Sequence, residues 1–114
     1  MTKDPSVFLN HIAESIIDIE SFIKNVNKED FLKNKEKQNA VIRSLEIIGE
    51  AVKNIPPAIK IKYSLIPWKE IAGTRDKIVH HYFMVNLDVV WEIIKKDIPK
   101  LKQEILRIKK NLEK

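Results

Sequence analysis

Residues 39–57 read NAVIRSLEIIGEAVKNIPP. Val41, Leu45, Ile48, Val52 and Ile55 recur at spacings of four and three, which places them on one stripe of a helix running from about Lys35 to Asn54. A heptad-like seam of this kind asks for partner helices. Pro56-Pro57 ends it, because proline lacks the N–H that would continue the ladder and restricts the residue before it. Arg43, Glu46 and Glu50 stand at spacings of three and four, a charged face with internal pairs that can border a cleft.

The same periods extend in both directions. Upstream, Asp4 or Ser6 caps a first helix with Pro5 in its opening turn, and Phe8, Ile12, Ile16, Ile19, Ile23 and Val26 mark its stripe. Asn27 starts a short helix through Phe31 and Leu32, with Glu29 and Asp30 in its first turn. Downstream, the stretch through Ser64 and Pro67 is a connector with one short turn of helix, and a new helix begins at Pro67. Gly73-Thr74 marks a break or a recapped start. Asn86 then caps a last helix with the stripe Leu87, Trp91, Ile94, Ile98, Leu101, Ile105, Ile108 and Leu112. The apolar phase crosses Pro99 unbroken, which predicts a kink or two abutting helices. The fold class is all-α: an antiparallel four- to five-helix bundle, a single domain over residues 1–114.

Composition sets bounds on function. With 114 residues and 44% hydrophobic content, the chain holds one modest core. Twenty-one Lys+Arg against 16 Asp+Glu give a formal charge of +5, which suits an anionic partner. Only Arg43, Arg75 and Arg107 are arginines, so lysine serves wherever a point charge is enough, and an arginine marks a need for a planar fork. The absence of cysteine excludes disulfides and thiolate zinc sites. Neither a cleavable apolar leader nor a membrane-length apolar run is read, so the expected location is cytoplasmic.

Chemistry concentrates in residues 68–83, WKEIAGTRDKIVHHYF. On a regular helix Arg75 and Tyr82 share a stripe, within about 20° of each other and roughly 10 Å apart along the axis. Asp76 and His80 share another, so the carboxylate can orient the imidazole. Arg75 and His80 are about 140° apart. A site that uses both needs the arginine's reach, an irregular helix end or a second copy of the chain. Taken alone, Arg75 is a surface ion-pair partner, and His80 is as readily a histidine satisfied by Asp76 as a catalytic one. His11 reads as packing, His81 as a surface residue, and Trp68 and Trp91 as core or interface anchors. No histidine has metal-ligand companions at suitable spacing, so neither metal nor cofactor is expected.

Arg75, four residues, His80, one residue and Tyr82 resemble the R-x4-H-x-Y motif of the HEPN superfamily, and within it the HepT-like ribonuclease toxins. FLNHIAESI, NAVIRSLEIIGEAVKNIP and LDVVWEIIKKDIPKLKQEI carry the resemblance over nearly the whole chain. It implies a homodimer whose motifs line one cleft, and metal-independent RNA cleavage by Arg75 and His80 with Asp76 in support. It also implies a cognate minimal nucleotidyltransferase antitoxin that silences the toxin by transferring AMP to Tyr82. The rival readings are a catalytically silent accessory subunit that binds a nucleotide or the transferase, and a plain helical dimerisation module.

Overall fold

Two long helices oppose each other at the centre of the molecule. The computed structural model describes residues 4–73 and 86–112. Helix α1 spans Pro5–Ile23, α2 Lys28–Lys33, α3 Lys35–Lys53 and α4 Pro57–Lys62. Residues 68–73 are helical and form α5. Helix α6 spans Leu87–Glu92, a π-helical turn covers Ile93–Asp97, and α7 spans Ile98–Leu112. Within the described residues the regular structure is all helical.

Side-chain caps set the helix starts. Asp4 accepts from the Ser6 N–H at 2.9 Å, Asn27 from Asp30 at 2.8 Å and Asn34 from Lys37 at 3.0 Å. Asn86 accepts from both Asp88 and Val89. Each satisfies a donor that the first turn leaves without an intrahelical partner. The turn after α1 puts Asn25 at φ 61°, a left-handed conformation that asparagine tolerates better than most residues. Pro67 stands one position before the helix, its carbonyl accepting the Ile71 N–H at 3.1 Å. Gly73 remains helical, while Thr74 lies outside the described residues.

The α1 stripe sits one residue away from expectation at its start. Leu9, Ile12, Ile16 and Ile19 are fully buried, whereas Phe8, Ile23 and Val26 are only partly so. The 3-4-3 spacing of 9, 12, 16 and 19 keeps those four on the line facing the bundle, and Phe8 lies to its side. They meet the predicted α3 seam, Val41, Leu45, Ile48, Val52 and Ile55, all of which are buried. The contact is antiparallel. The Lys37 ammonium at the start of α3 donates to the Phe22 carbonyl at 3.0 Å, while Phe8 and His11 line a cleft with Glu50 and Asn54 at the other end.

The last helical run closes the core. Phe31 of α2 lies 5.3 Å from Trp91 of α6, centroid to centroid, and Lys28 pairs with Asp88 at 3.0 Å. Lys102, near the start of α7, reaches Glu20, near the end of α1, at 3.0 Å. Pro99 produces no loop: the run continues as abutting helical segments, one of the two outcomes expected. The turn before it widens, and the Ile98 N–H donates five residues back to the Ile93 carbonyl. That geometry accommodates a ring with no N–H while Trp91, Ile94, Ile98, Leu101, Ile105 and Ile108 stay on the buried face. Leu87 is half-buried and Leu112 exposed, so the stripe weakens at both ends.

Neighbouring isoleucines offer a contrast. Ile16 is fully buried and Ile17 is 58% exposed. Ile16→Ala should cost about 2–5 kcal/mol in chemical denaturation, and Ile17→Ala no more than roughly 0.5 kcal/mol. Comparable losses would place the α1 stripe elsewhere.

Across the π turn, Lys96 sits 2.7 Å from Glu92. Its hydrogen bond, and then its charge, hold the Glu92 carboxyl below the ordinary 4.5, and the same contact raises Lys96 above 10.5. The Glu92 contribution is therefore present above pH 4.5 and lost as pH falls through the folded value, and that of Lys96 is lost only at strongly alkaline pH. Carbon-detected NMR titration should place Glu92 below 4.5, and Lys96→Gln should move it back toward 4.5.

Candidate functional site

Arg75, Asp76, His80, His81 and Tyr82 all fall within 74–85 and lie outside the described residues. Buried residues stand on either side of that stretch. Trp68 is 7% exposed, and its indole N–H donates to the Tyr63 carbonyl at 3.1 Å. A buried indole satisfied in this way locks one ring orientation. Ile66 is buried beside it, and Ile71 and Ala72 pack partly buried against the core. On the far side, Asn86 caps α6, and Val90 and Trp91 anchor that helix in the core. Trp68 and Trp91, expected as core or interface anchors, are thus both core residues of the described parts on either side.

A cleft of ≈ 300 Å³ opens between α1 and α3. His11, Arg43, Glu46, Glu50 and Asn54 are among its lining residues. The expected charged face is present: Arg43 Nη1 lies 3.4 Å from Glu46 Oε2. His11 departs from expectation. It is exposed and edge-on to Phe8, with ring centroids 6.4 Å apart, because the α1 stripe runs through Leu9 and Ile12 and leaves position 11 at the cleft mouth. Sequence periodicity carries the signal for this, since 11 is off-phase from 9, 12 and 16. Chemically the cleft offers an imidazole, a guanidinium and two carboxylates. Arg43 is held by its own carboxylate partner, so the cleft is not a ready anion site.

A larger groove of ≈ 660 Å³ lies between α3, the 65–71 stretch and α7. Its floor is apolar, with Leu45, Ile48, Ile98 and Leu101, and Glu70 and Asp97 stand among its polar residues. Among the described residues its lining holds no histidine. Among the described residues no cluster of His, Asp and Glu has the arrangement to hold a metal ion, and no helix is long and apolar enough to cross a membrane.

Comparison with known proteins supplies the family. The family model described as "Ribonuclease HepT-like" matches residues 12–108. A Methanocaldococcus jannaschii protein named "Gamma-glutamylcyclotransferase and putative RNase" is 53% identical over 114 residues, which are all of this chain and 51% of that protein. The chain thus spans about half the length of that relative. A Thermococcus cleftensis protein named "Probable ribonuclease HepT" is 47% identical over 96% of this chain and 100% of its own length. A Caldanaerobacter subterraneus protein named "Putative RNase" is 46% identical over 93% of this chain and 95% of its own. No solved structure matches the chain. With a family model covering most of its length and relatives near half identity, this chain belongs to the ribonuclease HepT-like family.

Proposed function

We propose that this chain is a metal-independent endoribonuclease, the toxin of a toxin–antitoxin pair, acting as a two-fold dimer. One observation carries the reading: the match to the ribonuclease family runs through residues 12–108 and so includes Arg75, His80 and Tyr82 in the R-x4-H-x-Y pattern.

The chemistry follows from what RNA provides. The 2′-hydroxyl attacks the adjacent phosphorus, the O2′–P bond forms and the P–O5′ bond breaks. One group takes the 2′-proton and another protonates the leaving 5′-oxygen. Histidine suits both tasks because its ordinary pKa of about 6.5 leaves both forms available near neutrality. A dimer supplies His80 and the partner subunit's His80, one for each proton, with Arg75 holding the phosphate charge as it passes through the transition state. A second chain also removes the need for Arg75 and His80 to point the same way on one helix. Asp76, four residues before His80, orients the imidazole. The products are a 2′,3′-cyclic phosphate and a free 5′-hydroxyl.

Tyr82 is the proposed regulatory residue. A cognate nucleotidyltransferase would join its phenolic oxygen to the α-phosphorus of ATP and release pyrophosphate. The attached AMP would place a phosphate and a base on the Arg75 stripe, where they compete with RNA. The proposed location is the cytoplasm, where RNA and ATP are both present.

The test is cleavage of a mixed RNA by the purified chain in EDTA, with His80→Ala prepared identically. Wild type should cut RNA but not DNA, and the variant should lose about 10²–10⁴-fold in rate. Loss of activity on chelation, or cleavage of DNA, would refute the mechanism. If wild type and variant are both silent and mass spectrometry finds Tyr82 unmodified, the accessory-subunit reading takes its place.

A further inference from the structure

Four of the chain's five formal charges of excess lie on two segments that meet at Tyr63. Residues 54–63, which contain α4, and residues 104–112, the end of α7, together hold five of the 21 basic residues and one of the 16 acidic ones. The remainder is close to balance, at 16 against 15. The two segments are far apart in the chain, and Tyr63 joins them. Its hydroxyl accepts from Asn111 Nδ2 at 2.9 Å. The Lys62 ammonium stands 5.6 Å from the centre of its ring, and the Arg107 guanidinium carbon 6.0 Å from it, both within cation–π range. Glu104 neutralises Arg107 at 2.7 Å. Lys60, Lys62, Lys109 and Lys110 make up the surplus, and none of them forms an ion pair among the described residues.

By contrast, the other lysine-rich corner is partly neutralised by its own carboxylates. There Lys28 pairs with Asp88 and Lys33 with Glu29, while Lys37 is spent on a backbone carbonyl.

We propose that the α4–α7 corner holds the phosphate backbone of RNA outside the motif segment, as a second contact surface that retains substrate without reading its sequence. This rests on the ribonuclease reading for the identity of the polyanion. Lysine supports the backbone assignment: a compact charge on a flexible stem follows phosphates, whereas base or bidentate readout would favour arginine. The cations lie on two segments instead of closing a pocket, as a strand laid across the corner requires. Ile61 and Leu65 are 76% and 93% exposed in the same stretch. An acidic protein partner would have to cover them and RNA would not, so they discriminate between the two.

The experiment is anisotropy of a short 2′-O-methyl RNA, which lacks the attacking hydroxyl and cannot be cut by this route. Counterion release at about 0.7 per single-strand contact makes each contact worth about fivefold at about 0.1 M salt. Lys62→Gln with Lys110→Gln should therefore weaken binding by roughly twentyfold and lower the salt slope by about 1.4. Lys24→Gln with Lys35→Gln removes the same charge elsewhere and should leave binding within about twofold. Circular dichroism confirms folding of each variant. Equal losses in the two pairs, or no binding by wild type, would overturn the proposal. So would weakening by Ile61→Ser with Leu65→Ser in place of the lysine pair, which would favour a protein partner. The readout needs no cleavage: a chain that holds this RNA but never cuts the natural polymer keeps the corner and loses the ribonuclease reading. A chain that cuts RNA and holds the probe equally well without the lysines does the reverse.

Discussion

Everything described in this fold leans on the antiparallel contact between α1 and α3. Leu9, Ile12, Ile16 and Ile19 are removed from water chiefly by α3, whose Val41, Leu45, Ile48 and Val52 are buried with them, and by α7. Burying such side chains yields about 1.5–3 kcal/mol each, more than a cap or a surface ion pair supplies. The short α2 segment between them works as a spacer. Phe31 is its one buried residue, and the Phe31 carbonyl accepts from Gln38 Nε2 at 2.9 Å, tying the turn back onto α3. With that pair in place, α6 and α7 have an apolar surface to cover.

The covering helix must pass a proline without losing its phase. A regular α-helix would leave the Lys95 carbonyl without a donor at Pro99 and bring the ring against it. The π turn resolves this locally, and Glu92 with Lys96 spans it on the outside. The buried face therefore continues from Trp91 to Ile108, and the end of α7 reaches Tyr63. That reach has two consequences: it ties down the connector that leads to Trp68, and it brings Lys62 and the basic end of α7 together at Tyr63.

In a HepT-like ribonuclease family member this arrangement has a functional sense. The apolar bundle carries almost no chemistry of its own, and its polar clefts are internally paired, as Arg43 with Glu46 illustrates. Trp68 and Trp91 are buried on either side of the stretch outside the described residues, and the uncompensated positive charge sits apart from the balanced remainder.

Local rules made much of this legible in advance. Asp4, Asn27 and Asn86 announce helix starts because a cap acts within three residues, and the α3 seam is visible because helical period alone sorts its faces. The candidate chemistry of Arg75, His80 and Tyr82 is likewise readable as a spacing of residue types, although their placement lies outside the described residues. Other features belong to packing between distant segments. One is the choice of Leu9 over Phe8 for the core, with the exposure of His11 that follows. Another is the π turn that makes the junction before Pro99, and a third is the meeting of Lys62 and Arg107 over Tyr63. The physical reason is range: caps and periods are set by neighbours three or four residues away, whereas Tyr63 and Asn111 meet only because the folded core brings α4 and the end of α7 together.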